Sequence, residues 1–147
     1  LPLYARRQRQ MCIRDRNQAD CDHLGHMNVA RYYGICADVG VILQNEIGLT
    51  PDDIRSGRRL SMVVVRNESD FRAEILVAEP IIMRSAILEI GSKSMLLHHQ
   101  LFRADGVMAF DTTQRVVLFD LVNRRAAEIP ADVRAKVEAI LVAERAS

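Results

Sequence analysis

The densest cluster of reactive side chains in this 147-residue sequence lies between positions 20 and 28, where the letters are DCDHLGHMN. It stands directly before a long apolar segment with helical periodicity. A carboxylate such as that of Asp22 can attack an electrophilic carbonyl or take a proton from a water molecule. The start of a helix offers N–H groups without acceptors and a partial positive charge. Together these features predict a site that stabilises negative charge on a carbonyl oxygen under attack.

A thioester carbonyl suits this arrangement, because a thiolate leaves without strong help from an acid. One carboxylate and a helix N-terminus are therefore sufficient for hydrolysis. Gly25 lets the backbone approach a substrate closely. We predict Asp22 as the catalytic carboxylate. The alternative interpretation is that Asp22, like Asp20, is only a loop carboxylate that caps the helix.

The histidines indicate the function of the site less specifically than Asp22 does. His26 belongs to the candidate catalytic group, but we expect it to order the loop through hydrogen bonds rather than to act as a general base. His23 and His26 with Asp22 lack a further strong ligand at a convincing spacing, so no metal site is expected. His98 and His99 alternate faces on a strand, and we expect one to face solvent and the other a polar pocket or a partner.

A long, mostly apolar helix is predicted to follow the cluster. Apolar residues recur at helical spacing from Val29 to Ile47, with Asn28 suited to the N-cap and Gly48 to the C-terminal cap. Gly34 and Gly40 each cost the helix about 1 kcal/mol. We expect these two glycines to allow close approach to another backbone.

The rest of the chain reads mainly as strands. Thr50 and Pro51 start a short second helix, and Pro130 opens a last one. Strands are predicted over residues 61–71, 80–90, 94–103 and 107–122, with turn signals between them at Gly91-Ser92 and Asp105-Gly106. One long helix followed by an antiparallel meander predicts an α+β fold in which the sheet wraps around the central helix.

The composition narrows the classes of function. There is no Trp and aromatic residues make up 5%, so stacking platforms for single-stranded nucleic acid are scarce. No apolar run approaches the roughly 20 residues of a membrane span. We therefore expect neither a nucleic-acid nor a membrane partner. Cys12, Cys21 and Cys36 show no metal or disulfide spacing, which favours a reducing, cytoplasmic compartment.

Residues 1–16 are interpreted as a non-native segment. The letters RRQRQMCIRDR, from Arg6 to Arg16, back-translate without interruption into a transposase sequencing adapter, and the alternative is a native basic arm. Without this segment the net charge falls from +1 to −3, so the basic pI does not indicate a polyanionic partner. We expect residues 1–16 to be irregular or poorly supported by core contacts. Residues 17–147 are predicted to form one domain whose native N-terminus is missing.

The motifs resemble those of the 4-hydroxybenzoyl-CoA thioesterase-like hotdog family. Residues 22–28, DHLGHMN, followed by Arg31-Tyr32, resemble its signature loop. The letters NESDF at 67–71 resemble its second strand, and IGSKS at 90–94 resembles the turn after its third. The resemblance covers Asn17 to about Pro130. It implies a hotdog fold, an acyl-CoA thioesterase activity, and homodimers or homotetramers whose active sites lie between subunits.

The resemblance also implies roles for single residues. Asp22 matches the catalytic carboxylate, and the backbone N–H near Val29, next to Asn28, matches the oxyanion donor. The residues expected to contact substrate are Gly25, Met27, Tyr32, Arg59, Lys93 and Ser94. For the basic residues among them a solvated surface is an equal alternative. Coenzyme A is part of the substrate, and no further cofactor is implied.

Three points stay open at this stage. Related hotdog branches carry their acid on the long helix, so Asp38 is the candidate if Asp22 fails. A 4-hydroxybenzoyl substrate is not implied, because Met27, Asn28 and Val29 stand where that enzyme has aromatic residues. The alternative functions are a hotdog enoyl-CoA hydratase or dehydratase, and a non-catalytic module that binds acyl-CoA or acyl-carrier protein.

Overall fold

The computed structural model describes residues 9–13, 25–76 and 79–145, with side chains over 25–76 and 79–141. The described residues form the helices α1 (Val29–Glu46), α2 (Pro51–Arg55) and α3 (Ala131–Arg145). The strands of the described chain are β1 (Arg9–Ile13), β2 (Leu60–Phe71), β3 (Ile81–Ile90), β4 (Ser94–Arg103), β5 (Met108–Asp120) and β6 (Arg125–Ala126). The main strands form one antiparallel sheet in the order β1-β3-β4-β5-β2, and β6 pairs antiparallel with the end of β5. This confirms the predicted α+β arrangement.

Helix α1 begins and ends where the capping residues predict. Asn28 has an extended backbone, and its side chain accepts a hydrogen bond from Ala30 N at 2.9 Å. Gly48, at φ 94°, follows the C-cap Ile47 and takes the left-handed conformation that ends a helix. Thr50 and Asp53 form a capping box at the start of α2, as Thr50-Pro51 indicated.

The core lies between α1 and one face of the sheet. The buried stripe of α1 runs from Tyr32 through Ile35 and Val39 to Leu43. It packs on the inward residues of β3, β4 and β5, which alternate along each strand because successive side chains point to opposite faces. α3 closes the core with Val133 and Val137. None of the helices in the described part of the chain has the length and hydropathy to cross a membrane.

Helix α1 runs antiparallel to β2, and this direction orients the whole site. Tyr33, one turn into α1, donates through its OH to Ser69 Oγ near the end of β2 at 2.8 Å. Gln44, near the end of α1, accepts from Met62 N near the start of β2 at 3.0 Å. The N-terminus of α1 therefore lies beside the last residues of β2, and its C-terminus lies beside the first.

The N-terminal segment differs from the expectation. Residues 9–13 form strand β1, which pairs antiparallel with β3 from Arg9↔Ser85 to Ile13↔Ile81. These five residues are therefore regular rather than irregular, while the other part of the expectation, poor support by core contacts, stays a prediction because their side chains lie outside the described residues. The edge of β3 presents backbone groups that need hydrogen-bond partners, and any short extended segment can supply them. The non-native origin of residues 1–16 stays a prediction.

The glycines of α1 also differ from the expectation. A Cβ atom at Gly40 would meet no described atom within 4 Å, and one at Gly34 would meet only the end of the Arg31 side chain at 3.6 Å. Within the described residues, the expected close approach of another backbone to these glycines is therefore not found. The periodicity of a helix shows which face a glycine occupies, but it does not show whether another part of the protein packs against that face.

Candidate active site at the start of helix α1

The loop that leads into α1 is fixed by the segment just after β2. Met27 N donates to Ile75 O at 2.8 Å, and His26 forms an isolated β-bridge with Leu76. His26 Nε2 lies 2.9 Å from a carboxylate oxygen of Glu74. Gly25 has a φ of 80°, which a glycine adopts without strain. These contacts hold the entry to the helix from both its backbone and its side chains.

The first turn of α1 leaves one backbone donor free. Ala30 N–H donates to the Asn28 side chain, and Arg31 N–H donates to the Asn28 carbonyl, each at 2.9 Å. Within the described residues Val29 N–H has no acceptor, and Val29 is 56% exposed. An unpaired N–H at the positive end of an 18-residue helix attracts an oxygen that carries negative charge.

Asp22 lies in the segment 14–24, outside the described residues, as do Asp20, Cys21 and His23. That the Asp22 carboxylate lies close to Val29 N–H therefore stays a prediction. Asp38, the alternative acid, lies on the exposed side of α1.

The structure separates two tyrosines that are adjacent in sequence. Tyr32 is 4% exposed and packs in the core, with its ring centre 5.1 Å from Phe71 and 4.9 Å from Phe110. Met27 is also buried in this core. Tyr33 instead lines a cavity beside the helix. Of the two, Tyr33 is the one placed to contact a ligand, although the prediction named Tyr32.

A cavity of about 310 Å³ opens between α1 and the sheet. From α1 it is lined by Tyr33, Cys36, Ala37, Gly40, Val41 and Gln44. The sheet contributes Met62, Val64, Asn67, Leu97, Gln114 and Val116. Sequence reasoning did not identify this cavity, because its walls come from four elements far apart in the chain. One signal was present, since Gln44 stands at a buried position of an otherwise apolar stripe.

Burial makes the thiol of the cavity inert. Cys36 is 1% exposed, and desolvation raises the pKa of its thiol to about 12. A thiol is nucleophilic only as the thiolate, so Cys36 is a small apolar wall residue rather than a nucleophile.

The predicted contacts for coenzyme A lie at the other end of the molecule. Arg59 O accepts from Leu121 N at 2.9 Å, and Lys93 O accepts from Leu118 N at 2.8 Å, which places both beside the end of β5. Ser94 begins β4 opposite Val117 at this same end. This is the end of the sheet that carries the C-terminus of α1. About 26 Å of helix separates it from Val29, at about 1.5 Å per residue. One subunit alone does not bring Arg59, Lys93 and Ser94 to its own Val29.

Arg58 is occupied by structural contacts. Its guanidinium donates to both carboxylate oxygens of Asp132 at 2.9 Å and to Gly48 O at 3.1 Å. Asp132 and Asp53 beside it raise the pKa of Arg58, against a smaller opposing effect of burial. Arg58 thus ties α2 to α3 and is not available to a phosphate.

A row of hydroxyl groups connects the cavity wall to the sheet. Tyr33 OH donates to Ser69 Oγ at 2.8 Å, and Ser69 Oγ lies 2.7 Å from Thr112 Oγ1. Thr112 Oγ1 donates in turn to Glu68 O at 3.0 Å. Because each hydroxyl has one proton, the last donation fixes the direction of the others. The row holds the Tyr33 ring against the sheet.

His99 continues the same line of residues across the sheet. It lies opposite Thr112 on β5 and Ser85 on β3, and its Nδ1 is 2.7 Å from Ser85 Oγ. It is fully buried, and its Nε2 has no hydrogen-bond partner within the described residues. Desolvation is the largest cause that lowers the pKa of His99 to about 4. His99 is therefore neutral at physiological pH. His98 points to the opposite face, where its Nε2 lies 2.6 Å from Asp111, so the expected division of the two histidines between faces is confirmed.

Comparison with known proteins identifies the family. Residues 17–137 match the model of a protein family described as the thioesterase-like superfamily. No curated protein sequence matches the chain. A Staphylococcus aureus protein solved in complex with CoA has a TM-score of 0.84 at 16% identity, covering 91% of this chain and 84% of its own.

Two further solved structures share the fold. A DHNA-CoA thioesterase from Staphylococcus aureus has a TM-score of 0.80 at 11% identity, over 92% of this chain and 94% of that one. A Thermus thermophilus thioesterase complexed with coenzyme A and Zn has a TM-score of 0.75 at 23% identity, over 89% and 92% of the two chains. These similarities confirm the hotdog fold. The chain belongs to the thioesterase-like superfamily and is a thioester hydrolase.

Proposed function

We propose that this thioester hydrolase cleaves acyl-CoA into a free acid and CoA, with Asp22 as the catalytic carboxylate and Val29 N–H as the oxyanion donor. The observation that carries the proposal is the N–H of Val29 at the positive end of α1, which has no acceptor among the described residues. Asp22 stands seven residues before it in the sequence. Two of the compared structures were solved with CoA, which supports a CoA ester as the substrate.

The chemistry requires one carboxylate and one oxyanion site. Either the Asp22 carboxylate adds to the carbonyl carbon, or it takes a proton from the water that adds. Val29 N–H and the helix dipole stabilise the negative charge on the carbonyl oxygen. The carbon–sulfur bond then breaks, and its electron pair leaves with the sulfur of CoA. In the first route water hydrolyses the resulting anhydride, and in the second the proton on Asp22 passes to the thiolate.

His26 and Asn28 serve this site by holding it in place. The pair formed by His26 and Glu74 fixes the loop that follows Asp22. Asn28 takes up the Ala30 and Arg31 N–H groups, so Val29 N–H is the donor left for the substrate. Both side chains thus act as positioning residues within the proposal.

The edge of β2 supports a homodimer as the active form. In the described sheet β2 pairs only with β5, and its other edge is open. Val64 and Val65 on this strand are 50% and 58% exposed. A long apolar edge strand is rarely left uncovered in a folded protein, because it is a template for pairing with another chain. Pairing of two β2 edges about a two-fold axis would cover it.

Such a dimer also accounts for the position of Arg59. Two β2 strands paired antiparallel place the first residues of one beside the last residues of the other. The N-terminus of α1 lies beside the last residues of β2. The partner subunit's Arg59 would therefore approach this chain's Val29, and the partner's Lys93 would follow at the same end. We propose that these basic residues meet the CoA phosphates from across the interface.

Release of free thiol from acyl-CoA tests the proposal. The wild type is expected to release CoA thiol, and Asp22→Asn is expected to lower kcat by about 100-fold or more. Asp38→Asn is the matched control, because it makes the same change of charge at the exposed acid of α1 and is expected to stay within about twofold of the wild type.

Three results would overturn the proposal. A fully active Asp22→Asn variant would show that Asp22 is not the catalytic carboxylate. An inactive Asp38→Asn variant would assign the catalytic role to Asp38 on α1. Loss of enoyl-CoA absorbance without thiol release would instead show a hydratase. The cytoplasmic location stays a prediction from the number and spacing of the cysteines.

A further inference from the structure

The cavity beside α1 begins close to the proposed reaction centre. Tyr33, its first lining residue, follows Val29 by four residues, or about 6 Å along the helix. Gln44 lines the far end, so the cavity extends along α1 away from the Val29 N–H. Val41 and Val64, which are 54% and 50% exposed, flank its opening toward the edge of β2. A group attached to a carbonyl at Val29 would therefore lie about one helical turn from the start of this space.

The cavity wall selects for a neutral ligand. Among the described residues that line it, none carries a charge, and most are apolar. The carboxamide oxygen of Gln44 is already engaged, since it accepts from Met62 N at 3.0 Å and from Ser61 Oγ at 3.2 Å. A carboxylate or ammonium group placed here would lose hydration without gaining an oppositely charged partner among the described lining residues.

Gly40 keeps this space open. It lies in the middle of α1, where glycine lowers helix stability, and no described backbone approaches it closely enough to require glycine. A Cβ atom at this position would point into empty space, and Gly40 itself lines the cavity. The absence of a side chain at Gly40 therefore has a direct consequence, which is additional cavity volume.

The volume of the cavity indicates how large a group it can hold. An engineered apolar cavity of about 150 Å³ binds benzene, so the 310 Å³ observed here hold roughly a dozen carbon atoms. We propose that this cavity takes the acyl tail of the substrate, a neutral apolar group of up to this size, and that Gly40 sets the limit. The inference rests on the proposed acyl-CoA hydrolysis and adds its substrate class.

The test compares chain-length profiles. We measure kcat/KM for butyryl-, octanoyl-, dodecanoyl- and hexadecanoyl-CoA, with benzoyl-CoA as an aromatic arm and glutaryl-CoA as a charged arm. For the wild type, kcat/KM is expected to rise to dodecanoyl-CoA, to fall for hexadecanoyl-CoA, and to be lowest for glutaryl-CoA. Gly40→Leu fills roughly 100 Å³ of the cavity by the same scaling. It is expected to lower the ratio of dodecanoyl to butyryl hydrolysis by about tenfold or more.

Gly34→Leu is the matched control, because Gly34 lies on the same helix and does not line the cavity. Its chain-length profile is expected to equal that of the wild type. Gly40→Ala provides a milder change that preserves the helix, and it is expected to shift the profile in the same direction as Gly40→Leu.

The outcomes distinguish failure of this inference from failure of the proposed acyl-CoA hydrolysis. If no acyl-CoA of any length releases thiol, the proposed function fails and the inference falls with it. If butyryl-CoA is hydrolysed but the Gly40 variants keep the wild-type profile, only the inference fails. Dissociation of the oligomer by Gly40→Ala, with an unchanged profile, would show that Gly40 serves a subunit contact instead and would likewise overturn it.

Discussion

Acidification below pH 6.5 is expected to destabilise this protein through His99. The ring is fully buried between Ser85 and Thr112, and burial lowers its pKa to about 4 from an ordinary value of 6.5. Above pH 6.5 the ring is neutral in the folded and unfolded states, so it contributes no pH dependence. As the pH falls from 6.5 to 4, only the unfolded state binds the proton, and the free energy of unfolding decreases.

The size of the effect follows from the two pKa values of this residue. The gap between 6.5 and about 4, at about 1.36 kcal/mol per pH unit, corresponds to about 3 kcal/mol. This is a large part of the roughly 5–15 kcal/mol that stabilises a typical domain. Below pH 4 both states bind the proton and the contribution of His99 stops changing.

Urea denaturation at a series of pH values from 7.5 to 4.5 measures the effect, at one protein concentration because the chain is expected to oligomerise. His99→Gln is expected to flatten the pH dependence over this range relative to the wild type. His98→Gln is the control, since His98 lies on the same strand and faces the outer side. Equal slopes for the wild type and His99→Gln would refute the reasoning that the buried ring stays neutral.

Two further predictions concern the helix cap and the sheet edge. Asn28→Ala removes the acceptor of Ala30 N–H and is expected to lower the free energy of unfolding by about 1 kcal/mol, seen as a lower Tm. An unchanged Tm would mean that this cap does not stabilise α1. Val65→Glu places a charge on the exposed part of β2 and is expected to yield monomers in light scattering and to abolish thiol release. An active dimer of unchanged mass would show that the subunit interface lies elsewhere than at the edge of β2.

The elements were predictable because their signals are local. Asn28, Gly48 and Thr50 mark helix boundaries through their own hydrogen bonds or φ angles, and the structure confirms all three. The four long strands from Ser61 onward agree with the sequence pattern to within one or two residues at each end, whereas the two-residue strand β6 was not predicted. Strand β1 was missed, because its pairing depends on the free edge of β3 rather than on its own pattern.

The site was predictable only where it is local. The loop before α1 could be recognised from contiguous letters, and Val29 N–H follows from the geometry of a capped helix. The cavity could not, because Gly40, Leu97 and Gln114 meet only after β4 and β5 pair in their observed register. The separation of Arg59 from Val29 could not be predicted from the sequence either, because it depends on the direction of α1 relative to β2.

Replacement of Val29 by proline tests the central claim most directly. Proline removes one N–H, the one that has no acceptor in the described residues, and it is well tolerated at the first position of a helix. Asn28 already has the extended conformation that a following proline requires. Val29→Ala is the matched variant, because it shortens the side chain and keeps the N–H. We predict that Val29→Pro lowers kcat for acyl-CoA by about 10²–10³-fold relative to Val29→Ala, with the same Tm. Equal kcat values for the two variants would contradict the account, because the amide would then play no part in the reaction.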